Sequence, residues 1–342
     1  MATHLVTGNA GFIGSWLADA LLEQGRTVCG IDNLSGGRRE NVHRNVFPFW
    51  EVDIADGPPL ADLGCNVLRN VDVLWHLAAD ATEGRSQFTP TSALHNNAVA
   101  YQALLVDAIK AWKEAGDIER RKVILFSSIA VYGEQALPFK EDAPRQPVDV
   151  YGASKTYMET ITEVLAKVHN FRYTIIRPHN VYGPRQRLGD RYRNVVGIFM
   201  NKIMRGEPLT IYGDGTQRRA FSYIEDSLPA MLACVAPKTD GRIFNIGGRR
   251  GTPVNLLAEI VQEALDVRAE VVHVADRPCE VKHAIPAFVD SVRELGYEEA
   301  FTLQEGVAKM AKWAVKQGPQ PWSYTKLELD SEKAPAAWRS KK

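Results

Sequence analysis

The 342-residue sequence contains no run approaching the roughly 18 consecutive apolar residues that a bilayer-spanning helix needs, so no membrane span is expected. Cysteine is scarce. Its four copies (Cys29, Cys65, Cys234 and Cys279) are dispersed, with no C-x-x-C pair and no Cys/His spacing suited to a metal. Neither a disulfide framework nor a metal site is expected. An excess of either charge is also missing: 41 Lys and Arg balance 41 Asp and Glu, which leaves no bulk attraction for nucleic acid. The first residues, Met1-Ala2-Thr3-His4-Leu5-Val6, run straight into a strand-like segment. No signal peptide is expected there, and a reduced, cytoplasmic protein is the economical reading. There is no internal repeat. What remains, 45% hydrophobic and 24% charged residues, suits a globular chain with one large domain or two sharing a core.

The first half alternates short β-branched runs with helical patterns, the signature of a parallel sheet flanked by helices. Strands are predicted at His4–Thr7, Thr27–Asp32, Phe49–Asp53, Val71–His76, Lys122–Ser127 and Tyr173–Arg177. Helices are predicted between them at Phe12–Gln24, Thr91–Glu114 and Gly152–Val168. Past Pro178 the pattern breaks into Gly-, Pro- and Arg-rich stretches. Shorter helices follow at Asn194–Arg205, Glu225–Val235, Val254–Ala264 and Leu303–Val315. The tail from Gln317 holds three prolines, and its Trp322 and Trp338 predict an irregular segment docked on the body.

The first strand feeds Thr7-Gly8-Asn9-Ala10-Gly11-Phe12-Ile13-Gly14 at the opening of a helix. In such a turn Gly8 permits the tight bend, Gly11 lets a pyrophosphate approach the backbone, and Gly14 lets helix and strand pack closely. The helix N-terminus then offers free N–H groups and a positive dipole end. Asp32 closes the second strand where a carboxylate would hold ribose hydroxyls, with Asn33 beside it, and there it repels a 2′-phosphate. NAD is therefore preferred over NADP, although Arg38 and Arg39 follow closely. Asp53 and Ile54, at the end of the third strand, are placed to meet the adenine edge, and Asp53 equally suits a strand-end cap.

Tyr151 and Lys155 stand four apart where a helix begins, so phenol and ammonium share a face. Alone, such a pair is most often a helix-surface pair. Free tyrosine titrates near ~10, and lowering it to about 7 takes roughly 4 kcal/mol of preferential stabilisation of the phenolate. Ser127-Ser128 ends the fifth strand, and ligands in such sheets bind beyond strand carboxyl ends.

These features come in order with His76-Leu77-Ala78-Ala79, the run Ser127-Ser128-Ile129-Ala130-Val131-Tyr132-Gly133, and Arg177-Pro178-His179-Asn180-Val181-Tyr182-Gly183-Pro184-Arg185. As an ordered set they resemble the extended short-chain dehydrogenase/reductase family, specifically its nucleotide-sugar epimerases and dehydratases, as far as about Lys316. The resemblance implies an α/β fold, a Rossmann-type doubly wound parallel sheet with a smaller mixed α/β substrate domain. The NAD-binding part would span 1–178 with a return segment near 220–246, the substrate part 179–219 and 247–316, and the irregular tail 317–342. It implies Ser128, Tyr151 and Lys155 as the catalytic trio: Ser128 binding the sugar hydroxyl, Tyr151 taking its proton, and Lys155 holding the nicotinamide ribose and depressing the Tyr151 pKa. Leu77, Ala78, Ala79, Asn96 and His179 would join the glycine turn around the cofactor. Asn180, Asn194, Arg219 and Arg277 would bind the substrate diphosphate, with Asn194 also a good N-cap. Ala220 and Cys279 depart from the family's residues beside those two arginines. Glu83, Arg85 and Ser86 are candidates for the sugar ring, and Gly189–Arg193 for a lid.

The family's dehydratases carry an Asp-Glu pair at the positions of Ile129 and Ala130, its decarboxylases a Glu at the second, and its 3,5-epimerases a cysteine there. Ile129 and Ala130 can transfer no proton. What remains supports oxidation and re-reduction at one carbinol, so the expected activity is C4 epimerisation of a UDP-hexose. The alternatives are epimerisation at another carbon or on a GDP- or dTDP-sugar, a 4-keto-sugar reductase, and a non-catalytic dinucleotide-binding regulator. Relatives pair the two helices Thr91–Glu114 and Gly152–Val168 in a homodimer. Here those helices carry Leu104, Leu105, Val106, Ile109, Met158, Ile161, Val164 and Leu165.

Overall fold

A computed structural model describes residues 2–57 and 67–339. Cys65 and the last three residues of the tail lie outside the described residues. Seven parallel strands form the central sheet: β1 (Thr3–Thr7), β2 (Thr27–Asp32), β3 (Phe49–Glu51), β4 (Val73–His76), β5 (Lys122–Phe126), β6 (Arg172–His179), and a seventh, Arg242–Gly247, to which the chain returns late. Their spatial order is β3-β2-β1-β4-β5-β6 followed by Arg242–Gly247. The order reverses between β1 and β4, and that switch point opens a crevice at the strand carboxyl ends.

The sequence dictates this sheet by filling both its faces. In β5 every residue is buried. Val123 and Leu125 pack with Leu5, Cys29, Ile31 and Leu74 under the helices Ala100–Ala115 and Val150–His169. Ile124 and Phe126 point the other way, joining Val6, Val28 and Trp75 against the helix Phe12–Glu23. Register keeps Cys29, Leu5, Leu74 and Val123 in one row across four strands. Each such side chain contributes about 1.5–3 kcal/mol by leaving water, and a one-residue slip would exchange the two cores.

The later part of the chain adds the helices Val195–Met204, Ile224–Ala233, Val254–Leu265 and Leu303–Gln317, with short strand pairs such as Leu209–Tyr212 beside Val271–Val274. Its apolar residues merge into the Phe126 side of the sheet core. Among the described residues no helix is long and apolar enough to cross a membrane.

One predicted helix differs instructively. Thr91–Glu114 is not continuous: Pro90–Leu94 runs into a π-helical turn, His95–Val99, and then the helix Ala100–Ala115. Asn97, buried in the turn, explains the widening. Its Oδ1 accepts from Asp80 N at 2.7 Å, and its Nδ2 donates to Ser154 Oγ at 3.0 Å. Satisfying those partners draws the backbone inward by one residue and leaves Asn96 facing the crevice, a use of π turns common at functional sites. The third strand also ends two residues earlier than predicted, at Glu51.

Candidate active site

The crevice is a cavity of about 1030 Å³, large for a single small molecule and suited to a dinucleotide beside a second ligand. At its β1 end, Gly8 has φ +71°, and a Cβ there would lie 2.8 Å from Ala78 N. A Cβ on Gly14 would lie 2.1 Å from Gly8 O. Both positions exclude any side chain. Gly11 caps the helix Phe12–Glu23 without a side-chain hydrogen bond, which leaves its first N–H groups for an anion. Leu77, Ala78 and Ala79 line the wall beside this turn, and Phe12 and Ile13 also face the cavity.

Asp32 accepts Ala10 N at 2.9 Å and Leu34 N at 2.8 Å, which fixes its carboxylate at the rim. Burial pushes that carboxyl above its ordinary range, partly offset by those N–H groups. Asn33 donates to Asp53 at 2.7 Å, and Asp53 also accepts Ala55 N at 2.8 Å. Asp53 therefore holds the turn and Asn33 together, while Ile54 supplies apolar wall. Arg38 and Arg39 are committed elsewhere. Arg38 reaches Glu40 and Gln320, and Arg39 lies over the Phe49 ring. The fit is to a dinucleotide without a 2′-phosphate.

At the β5 end, Ser128 accepts Ala130 N at 3.1 Å and starts a short turn, Ile129–Val131. Ile129 and Ala130 line the cavity there and give it an apolar wall. Asp149 caps the helix Val150–His169, accepting Gly152 N at 2.6 Å, and so sets the height of Tyr151. The backbone N–H of Tyr151 donates to Ser86 Oγ at 3.1 Å, tying it to the turn Glu83–Ser86. Lys155 Nζ sits 5.8 Å from the Tyr151 ring centroid and donates to Phe126 O at 2.9 Å. Ser128, Tyr151 and Lys155 thus converge on one patch of cavity wall.

The electrostatics depart from the sequence expectation in one respect. Tyr151 is held above its ordinary pKa, first by burial and next by the Glu83 carboxylate, with hydrogen bonding to Ser128 working in the opposite direction. The cation that works against this burial is Arg193, whereas the Lys155 ammonium is engaged by the Phe126 carbonyl. Burial also lowers Lys155 to about 7. Asp149 is raised to about 7 by burial and then by Glu83.

Asn180 lines the cavity with φ +41°, and its buried Nδ2 has no partner among the described residues. Asn194 also lines it, but its side chain is engaged, accepting Val196 N at 3.2 Å and donating to Val181 O at 2.7 Å. Its role here is the N-cap, with the helix terminus facing the cavity. Arg219 and Arg277 converge on one oxygen, Glu280 Oε1, at 3.2 Å and 2.6 Å. Two guanidiniums on one acceptor is the arrangement a diphosphate needs.

His179 is the exception. It is fully buried, its Nε2 3.3 Å from Asn245 Oδ1, and it does not line the cavity. Burial lowers it to about 3, so it stays neutral. Strand alternation explains the misplacement, since Pro178 and Asn180 take the cavity side and His179 the other. Of the sugar candidates, Arg85 is locked to Asp80 at 2.6 Å and lies over the Tyr192 ring, whereas Glu83 opens onto the cavity. Asp149 and the tail's Trp322, Tyr324 and Trp338 also line it; no motif marks Asp149 or Tyr324, and the two tryptophans signal docking but not its place.

Residues 4–247 match the model of the NAD dependent epimerase/dehydratase family. The chain is 32% identical over 315 residues to a UDP-glucose 4-epimerase of Mycolicibacterium smegmatis, covering 90% of this chain and 97% of that one. The crystal structure of a UDP-glucose 4-epimerase with UDP-glucose from Thermotoga maritima superposes with a TM-score of 0.82 at 33% identity, covering 92% and 99%. A UDP-glucuronic acid 4-epimerase from Bacillus cereus, in complex with UDP-glucuronic acid and NAD, gives 0.82 at 29% identity, with 92% and 99% covered.

Proposed function

Because the chain belongs to the NAD-dependent epimerase/dehydratase family, a family of nucleotide-sugar enzymes, we propose that it inverts C4 of a UDP-linked hexose through a transient 4-keto sugar. NAD, held by the glycine turn and Asp32, would supply the acceptor and later the donor of the hydride exchanged with the sugar carbon. The chain's own residues move the proton and hold the ring. Ser128 hydrogen bonds the reacting hydroxyl, and Tyr151 takes its proton and later returns it. Lys155 supplies positive charge under the Tyr151 ring. Asn180, Arg219 and Arg277 hold the diphosphate, so the keto sugar can turn over while tethered at one end.

The observation that carries this reading is the wall beside Ser128. Ile129 and Ala130 face the cavity and can neither eliminate water nor shuttle a carbon-bound proton. A second reading, epimerisation at a carbon next to a ketone, is favoured by Glu83, a carboxylate close enough to act on Tyr151. One experiment separates them. Incubation with UDP-, GDP- and dTDP-sugars in deuterated water, with no added cofactor, should give a C4 epimer of a UDP-hexose without deuterium on carbon. Deuterium on carbon would move the assignment to the second reading, and absolute dependence on added NADPH would replace both with a reductase.

We also propose a homodimer through the helices Ala100–Ala115 and Val150–His169, on only part of the set the sequence suggests: Val164 stays, and Val168 and Tyr157 join it. Leu104, Leu105, Ile109 and Met158 are consumed by the protomer's own core. Val164 (54% exposed), Val168 and Tyr157 remain outside. Sedimentation at micromolar concentration should give twice the 38.0 kDa chain mass, and Val164→Asp should shift it to the monomer. A wild-type monomer would end this proposal.

A further inference from the structure

The proposed function leaves the segment after the helix Leu303–Gln317 without a task, although it is tied down on both sides of the cavity. On the substrate side, Gln320 N donates to Asn201 Oδ1 at 2.8 Å and Asn201 Nδ2 returns a bond to Gln320 O at 3.0 Å. The Trp322 indole N–H donates to Glu207 at 2.9 Å, and Ser323 N to Gly189 O at 2.7 Å. The segment then reaches the dinucleotide side, where Glu328 N and Leu329 N both donate to Phe88 O, at 2.9 and 3.0 Å. The Glu328 carboxylate caps the helix Pro90–Leu94 by accepting Thr91 N at 2.8 Å and Ser92 N at 2.7 Å. Finally the chain folds back to bury Trp338 (2% exposed) among Phe88, Tyr192, Leu327 and Ala334. That apolar cluster is separate from the sheet cores, so its packing serves the cavity wall rather than the fold.

Trp338 stands where the site's parts meet. A Cβ on Gly84 would lie 3.0 Å from Trp338 Cη2 and 3.2 Å from Arg277 Nη1. The indole, a diphosphate arginine and the turn carrying Glu83 therefore share one point. Tyr212, under the Arg277 guanidinium at 4.8 Å, has its ring 6.5 Å from the indole.

We propose that residues 318–339 form a strap belonging to the substrate site, in which Trp338 closes the wall between the sugar end and the diphosphate clamp and retains the keto sugar during turnover. This rests on the epimerase reading for what is retained, and on the geometry alone for the wall. The chemistry makes retention necessary. Oxidation moves a hydride to NAD and a proton to Tyr151, leaving a neutral ketone with no covalent bond to the protein. If the ketone leaves, the hydride has no acceptor and the enzyme is left holding reduced cofactor.

The test uses the full chain carrying Trp338→Ala, and separately Glu328→Ala, which releases the strap from Thr91 and Ser92 while replacing a residue that does not itself line the cavity. UDP, GDP and dTDP are titrated by calorimetry, and reduced-nicotinamide absorbance is followed with substrate. Trp338→Ala should weaken the nucleotide that binds wild type by roughly tenfold or more, the usual scale for a buried tryptophan anchor. Reduced cofactor should build up turnover by turnover in both variants, and Trp338→Phe should recover most of the loss. Unchanged nucleotide affinity with no reduced cofactor in a folded Trp338→Ala or Glu328→Ala protein overturns the proposal. If wild type binds a nucleotide but epimerises nothing, the epimerase reading fails, and the nucleotide titrations still decide the wall.

Discussion

Tyr151→Phe is expected to lower kcat by about 10²–10⁴-fold, the range a general acid–base contributes, while nucleotide affinity and bound NAD stay near wild type. The substitution keeps the ring that fills the wall and removes only the hydroxyl. The helix is held independently of that hydroxyl, through the Asp149 cap and the bond from Tyr151 N to Ser86. Loss of activity therefore reports chemistry, and a matched melting temperature verifies it. Tyr151 begins above its ordinary pKa, so the phenolate needs charge from its surroundings. Arg193 already supplies some, and Lys155, 5.8 Å from the ring centroid, can add to it, so Lys155→Met should act on kcat in the same direction. Steady-state kinetics beside a nucleotide titration is the check. A Tyr151→Phe enzyme with more than about a tenth of wild-type kcat would remove Tyr151 as the acid–base group.

How much of this was legible in the sequence depends on how each residue is constrained. Gly8 and Gly14 were readable because backbone contact forbids a side chain, and such prohibition survives in sequence as glycine. Tyr151 and Lys155 were readable because helical spacing alone puts them on one face. His179 was misplaced because a strand decides sides by single residues, and the motif gave its neighbourhood but not its parity. The π turn was hidden since its cause, Asn97 reaching Asp80 and Ser154, is a contact between segments 17 and 57 residues apart. Trp338 was seen to dock but not where, because a tail without periodicity carries no register. Its position is fixed by Phe88, Tyr192 and the cap that Glu328 places on Thr91 and Ser92.

Arg177→Met is expected to cost up to about 3–5 kcal/mol, the penalty for removing one partner of a buried ion pair, with Arg145 left as the remaining cation on Glu159. Arg177 is 1% exposed and Glu159 is fully buried. The guanidinium grips both carboxylate oxygens, Nε to Oε1 at 2.9 Å and Nη2 to Oε2 at 2.7 Å, and its Nη1 holds Tyr132 OH at 2.7 Å. Burial alone would raise the Glu159 carboxyl, but the Arg177 hydrogen bonds and charge, joined by Arg145, more than reverse this and leave it below its ordinary value. A lowered folded-state pKa sets the sign of the pH dependence. The contribution is complete above the unfolded value near ~4.3 and is lost as pH falls through the folded one. The gap in stability between wild type and Glu159→Gln should therefore be widest near neutrality and narrow in acid. The pair also has a positional use, since Glu159 lies two turns along the helix from Tyr151 and Arg177 lies three residues before Asn180. It pins the helix carrying Tyr151 to the strand that leads to Asn180, the proposed acid–base and diphosphate residues, so Arg177→Met should lower kcat as well as stability. Melting curves should show a fall of roughly 5–15 °C for Arg177→Met. Replacing both partners, Arg177→Met with Glu159→Leu, should recover much of the melting temperature, because no charge is then left buried. Recovery of stability without recovery of kcat is the expected pattern, since an apolar pair can fill the space but cannot hold Tyr132. A double variant no more stable than Arg177→Met would mean that packing around Tyr132, and not the stranded carboxylate, carries the cost.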